Sequence, residues 1–477
     1  MRKPKLTFLL SLFLLANTLC SMAQNHARGL DFDDASYAQA PKKARLTRAL
    51  DELPAHASVK DYAPYPKTQG QYGTCTAWAS AYCGRTTVDA IKNNWTNRDS
   101  ITARAYSPAF LFRLLRPDDP SCTGGSNIET AFQLMKEKGS LHYYDIPLPC
   151  VPSIDTYQLE KASNSLLKDF ARLFDVGSSD NVKVQAVKKS LSEKKPVVFG
   201  MLCPPSFDYP VKPYWEPTEE PLASYGGHAL CAVGYDDNLY GGAFEIQNSW
   251  GDTWASKGYI WIRYNDFARF VKYAYEFVDL PDPKPDVPDL SGAIRLALST
   301  GQEMPSSLLI STRGLKVVSA SITPEPLTIY QTANAYASGT NFRVYISNNQ
   351  PAYVYAISSD LSNAVTKIFP YEDNISAALT YKKNEVAIPD ESHFIQFDEK
   401  PGKDFLCVLY SRTELNINDI IAKIGAEQGT FNERIFKVVG DRMVDPANVN
   451  FTNDQIAFQA YSKGKDLIAL MVELDHK

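Results

Sequence analysis

After the apolar stretch that ends at Ala16, this 477-residue chain has no run long and apolar enough to cross a bilayer as a helix. Neither sign of charge dominates: 49 Lys and Arg stand against 54 Asp and Glu, a formal net charge of −5. That balance gives no electrostatic reason to expect nucleic acid or an anionic membrane as a partner. No solenoid or propeller period repeats, and no segment is compositionally biased. Cysteine and histidine never fall at zinc-type spacing, so neither metal nor cofactor is expected. Histidine is scarce, at six residues, and each can be weighed in turn as an acid–base group.

The N-terminus reads as a secretion signal, 1–23. Arg2, Lys3 and Lys5 give a positive start, Phe8 to Ala16 is apolar but short, and Ser21-Met22-Ala23 offers a cleavage site. Lipid attachment at Cys20 is the rival, but Leu19 is bulky where such signals carry a small residue. An exported chain, periplasmic or secreted, is therefore expected, and disulfides are permitted in it. Without Cys20 its cysteines are 75, 83, 122, 150, 203, 231 and 407, an odd number that leaves at least one thiol free.

Length alone suggests two domains. The boundary is Pro281-Asp282-Pro283-Lys284-Pro285-Asp286-Val287-Pro288, where alternating prolines fix φ and remove donors. The expected division is a short, irregular leader at 24–60, a first domain at 61–280, a linker at 281–291 and a second domain at 292–477. Helical periodicity marks 76–93, 127–138 and 182–191 in the first domain, and strands are expected at 196–201, 229–235, 243–247 and 258–264. Helices before strands point to an α+β domain of two lobes. Beyond the linker, alternating runs at 342–346, 352–357, 394–397 and 405–410 read as an all-β sandwich-like domain.

Three stretches carry chemistry. In Gln69-Gly70-Gln71-Tyr72-Gly73-Thr74-Cys75, glycines shape a tight loop and Cys75 opens a helix. Unpaired N–H groups and the helix dipole are expected there to lower its pKa and favour the nucleophilic thiolate. Gln69 and the Cys75 N–H are placed to hold an oxyanion. His228, in Gly226-Gly227-His228-Ala229, begins an apolar strand as the candidate base. His26 and His56 lie in the leader, His393 and His476 in the second domain, and His142 sits beside tyrosines that suggest packing. Asn248, in Gln247-Asn248-Ser249-Trp250-Gly251, can accept from the imidazole while Trp250 shields that bond. Taken singly, each has an ordinary structural reading: core thiol, core histidine, turn asparagine.

Together these stretches resemble the papain family (C1) of cysteine peptidases, in residue types, order and separation, over roughly residues 60–280. Cys122-Thr123-Gly124-Gly125 resembles that family's Cys-x-Gly-Gly loop, and Tyr106-Ser107-Pro108 and Pro196-Val197-Val198 its second helix and a core strand. The resemblance implies peptide-bond hydrolysis through a Cys75 thioester, with His228 as base, Asn248 orienting it and Gln69 at the oxyanion. It implies that the backbone of Gly124 and Gly125 pairs with extended substrate, that Gly227 and Trp250 line the cleft, and that Met201 and Glu276 lie near the main side-chain pocket. Protein or peptide substrates follow. The segment from Tyr336 through Ser411 resembles an uncharacterised β-sandwich domain of bacterial exported proteins. Tyr353-Val354-Tyr355, Ile368-Phe369-Pro370, Ile388-Pro389 and Pro401-Gly402 are its landmarks. Its expected role is binding a cell surface or a protein partner, with Cys407 a core residue.

Some positions depart from the papain pattern. Thr76 follows the nucleophile where Trp is usual. Tyr72 replaces the cysteine that normally pairs with the Cys-x-Gly-Gly loop, which leaves Cys122 to pair elsewhere, with Cys150 for instance, or to stay free. The leader is too short for a long inhibitory prodomain, so any latency must come from it or from the second domain. A catalytically silent binding module and an acyl-transferase or amidase with the same triad are the alternatives.

Overall fold

The computed structural model describes residues 26–44, 53–221, 224–280, 283, 286–310, 327–360, 362–380 and 384–477. The signal segment, Cys20 and half of the proline run lie outside the described residues.

Cys75 begins a helix built from Cys75–Ala77, a π-helical stretch Trp78–Arg85, and Thr86–Lys92. The sequence marks this as one regular helix, and the wider π turns in its middle are the difference. A Cβ on Gly84 would lie 2.6 Å from Phe277 and 2.9 Å from Val198, so glycine lets this helix press onto the sheet. The helix Ile128–Lys138 starts where Asn127 accepts from the N–H groups of Glu129 and Thr130, and stops at Gly139, whose φ is +81°.

The strands are β1 (His56–Ser58), β2 (Asp169–Arg172), β3 (Val197–Leu202), β4 (Tyr214–Trp215), β5 (Gly227–Asp236), β6 (Ala243–Gln247), β7 (Tyr259–Arg263) and β8 (Val271–Val278). They form one sheet in the order β2-β8-β3-β5-β6-β7-β4, with β1 against β5. Helices cover one side and the strand-rich lobe forms the other, so this is a two-lobed α+β domain. The described strands between 290 and 476 form two facing sheets whose inner residues, among them Ile294, Val344, Ile346, Val354, Val408 and Leu470, make one core. This is the expected β-sandwich. Two helices outside the expected strand set, Ile417–Ala426 and Phe431–Val439, cover its outer face, and Cys407 is buried beneath them.

The leader is more ordered than its polar sequence suggests. Asp33 caps a short helix, Asp34–Gln39, and Tyr37 buries its ring on Tyr273 at 4.2 Å. Residues 38–43 then run between the two domains. On one side, Lys43 N donates to Arg172 O and Arg172 N to Pro41 O; on the other, Lys42 N donates to Asn374 O and Ser376 N to Lys42 O. Behind this strip Lys43 Nζ meets Glu276 at 2.6 Å, and Lys195 bridges the same carboxylate to Thr380 of the second domain.

Glu276 is therefore the fully buried centre of an ionic cluster, away from the cleft near which the resemblance placed it. Burial alone would raise its pKa, but the Lys195 and Lys43 charges outweigh that and hold it at about 2. A carboxylate depressed below its unfolded value stabilises the fold above pH 4.5, and that contribution is lost as pH falls from 4.5 toward 2. Glu276→Gln leaves the buried Lys43 and the partly buried Lys195 facing a neutral amide, with Glu193 as the remaining carboxylate near both. It should cost roughly 3–5 kcal/mol in urea unfolding and flatten the acid limb of stability. A loss under about 1 kcal/mol would contradict this account of the cluster.

Candidate active site

The Gln69 loop, the start of the Cys75 helix, the start of β5 and the turn after β6 meet at one place. His228 Nε2 donates to Asn248 Oδ1 at 2.8 Å, and the same oxygen accepts from Ser249 N at 2.7 Å. With its proton on Nε2, the imidazole keeps Nδ1 as a base, and Nδ1 has no hydrogen-bond partner among the described residues. The backbone of Ala229, next to His228, meets the Cys75 thiol, which places β5 against the helix start. Trp250 stacks on the His228 ring at 4.5 Å, with Trp254 and Phe207 edge-on or tilted behind it. Gln69 is locked by Ser249 Oγ donating to its Oε1 at 2.6 Å, which aims its amide into the groove.

The groove is filled by the leader. His26 stacks on the outer face of Trp250 at 4.4 Å. The Ala27 carbonyl accepts from Gln69 Nε2 at 3.1 Å and from Trp250 Nε1 at 3.3 Å. Arg28 pairs with Asp208 at 2.8 Å. Gly29 N donates to Cys75 Sγ at 3.2 Å, and Leu30 N to Gly227 O at 3.2 Å. Asp31 N donates to Ser126 O at 3.1 Å, while Ser126 N donates to Gly29 O at 2.9 Å. The thiol thus meets a donating amide N–H, not the carbonyl carbon a nucleophile needs. A Cβ on Gly29 would lie 1.9 Å from Gly73 O, backbone against backbone, so only glycine fits at the point of closest approach.

Occupancy changes the chemistry. The helix start was expected to lower the Cys75 pKa, yet burial under the leader pushes this thiol up, and the surrounding N–H groups offset it only in part. Burial likewise drives His228 down to about 3, with the Asn248 bond opposing. In this state the pair is a neutral thiol and a neutral imidazole.

Other expectations shift by one residue. The backbone partner of the bound segment is Ser126; Gly124 N is taken by Asp119 and Gly125 O by Arg116. Gly125 instead provides room, since a Cβ there would strike the Asp31 carboxylate. Along β3 it is Gly200 that faces the groove, beneath Leu30, while Met201 points into the core, as alternation along a strand requires. Gly227 lies in the groove, where its carbonyl accepts from Leu30 N. Cys122 is joined to Cys150, and Cys75, Cys83, Cys203, Cys231 and Cys407 are free thiols. Thr76, in place of the usual tryptophan, donates to Ser126 O at 3.1 Å and so ties the helix to the strand edge that holds the leader. Sequence reading missed Asp208 and Ser126, which belong to no local motif, and the leader itself.

The sequence profile described as papain family cysteine protease matches residues 56–274, and a domain of unknown function (DUF4384) matches residues 335–414. An uncharacterised peptidase C1-like protein of Acanthamoeba polyphaga mimivirus is 28% identical over 200 residues. The match covers 40% of this chain and 61% of the viral protein, so the chain spans less than two thirds of that relative. Among solved structures, xylellain, a cysteine protease from Xylella fastidiosa, is 19% identical, with a TM-score of 0.43 over 54% of this chain and 96% of its own. Digestive procathepsin L 3 of Tenebrio molitor larval midgut is 17% identical, with a TM-score of 0.40 over 51% of this chain and 77% of its own. Residues 56–274 are thus a domain of the papain family of cysteine proteases, followed at 335–414 by a domain of the uncharacterised DUF4384 type.

Proposed function

We propose that this chain is an exported cysteine peptidase held latent by its own leader. The observation that carries the reading is the His228–Asn248 bond, which leaves Nδ1 without a partner on a residue whose neighbour, Ala229, meets the Cys75 thiol with its backbone. Once residues 26–33 leave the groove, water reaches the pair, burial no longer opposes charge, and the thiolate–imidazolium form becomes accessible. Cys75 then attacks a peptide carbonyl, and Gln69 Nε2 and the Cys75 N–H hold the oxyanion. His228 protonates the leaving amine, and the thioester is hydrolysed by water that His228 activates. Asn248 keeps the ring plane throughout, and no step requires a metal.

Gly29→Val tests both halves, because valine cannot occupy the gap before Gly73 O. Under mild reduction, the Gly29→Val full chain should hydrolyse a mixed fluorogenic peptide library at least about tenfold faster than the unsubstituted chain. Adding Cys75→Ser should remove about a thousandfold or more of that activity. A folded Gly29→Val chain without turnover would favour the silent binding module. Crosslinked or deamidated glutamine in place of cut peptides would favour an acyl-transferase or amidase.

Latency should also weaken in acid. Burial lowers the pKa of His228 to about 3 and also lowers that of His26, which Asp208 and Arg28 face with opposing effects. The closed state keeps its full stability above about pH 6.5 and loses it as pH falls toward 3, by up to about 1.4 kcal/mol per pH unit for His228. Hydrogen exchange in the leader amides of residues 26–33, corrected for intrinsic rates, should therefore quicken between about pH 7 and about pH 4.5 while β5 stays protected. Unchanged leader protection would rule out this coupling.

A further inference from the structure

Asp208 lies in the wall of the groove, and its side chain is only 3% exposed. Its position is set by the domain and not by the leader. Asp208 N donates to Pro205 O at 3.0 Å, and its carbonyl accepts from Trp254 Nε1 at 2.9 Å. The preceding Phe207 is clamped among Trp215, Trp250 and Trp254. Among the described residues the one cation within ion-pair distance of this carboxylate is Arg28, and that cation belongs to the removable segment. The Arg28 guanidinium also lies 5.8 Å from the Trp250 ring. A carboxylate this enclosed is costly to leave without a counter-ion or water.

The leader therefore works as a mould of the groove. Gly29 marks Cys75, Leu30 fills the space above Gly200 on one side, and Arg28 fills the space before Asp208 on the side of Trp250 and His228. We propose that Asp208 forms a cation-selecting subsite, and that preferred substrates place an arginine or lysine against it on the Trp250 side of Cys75. When the leader withdraws from the groove, a substrate guanidinium or ammonium replaces Arg28, with the same carboxylate and the same Trp250 ring as partners. Specificity for charge then comes from a buried acid in a fixed aromatic frame, while the Gly200 side selects an aliphatic residue by shape.

This rests on the groove being the substrate cleft, so the test separates binding from hydrolysis. The full chain carrying Gly29→Val and Cys75→Ser is titrated with a fluorescent peptide of residues 24–33, and with the same peptide bearing citrulline in place of Arg28. Citrulline keeps the shape and removes the charge. The arginine peptide should bind about tenfold more tightly, and Asp208→Asn in the same background should abolish the difference. Equal binding of the two peptides, a preference that survives Asp208→Asn, or no binding of either peptide would overturn the proposal. On the Gly29→Val chain with Cys75 intact, cleaved library peptides should be enriched in arginine and lysine at that position, and Asp208→Asn should erase the enrichment. If charge discrimination holds while nothing is cleaved, the peptidase reading falls and the cation subsite stands.

Discussion

The arrangement depends on one carboxylate kept from water. Glu276 lies on β8, hydrogen-bonded on both sides to β2 and β3, and its charge is met by Lys43 from the leader and Lys195 from the body of the domain. Lys195 in turn reaches Thr380, so three separate parts of the chain converge on one ion. An isolated buried charge is prohibitive, which makes the convergence obligatory. The leader cannot slide along the interface without uncovering Glu276. Its register is thereby fixed, and with it the residue that arrives opposite Cys75.

That register links mechanics to protonation. A helix N-terminus contributes roughly 0.3–1 kcal/mol toward a thiolate at an exposed site, whereas full burial shifts a thiol or imidazole by several pK units in the opposite direction. Burial wins while the leader is in place, and the dipole can count only once water returns. Cover and chemistry are therefore one switch. The leader fills the groove, and burial there holds Cys75 and His228 neutral even though the Gly29 N–H itself favours the thiolate.

Much of the site was legible because its parts are local. Cys75 after a glycine-bearing loop, His228 at a strand start and Asn248 in a tight turn each carry a short signature that backbone geometry enforces. The strands from 197 to 263 follow directly from apolar runs and turn residues. What was not legible is non-local. Asp208 looks like any turn acid until Arg28, 180 positions away, is found against it. The exchange of Met201 for Gly200 as the groove residue is a one-step error in strand phase, and a fully apolar strand offers no alternation with which to correct it. The π-helical turns need tertiary support that no helix propensity encodes, and the leader reads as polar irregular chain because its partners lie in two other domains.

The outer helices of the sandwich, the strand at 352–359 and the edge of β2 and β8 share one apolar layer that includes Ala171, Val278, Leu280, Tyr353 and Leu415. Such a layer is a core and not a docking contact, and cutting the chain at the proline run would expose it to water on both pieces. The second domain is accordingly no detachable accessory. Ala171, Val278 and Leu280 of the first domain belong to that layer, so exchange of the second domain between proteins would require a matching β2–β8 edge to travel with it.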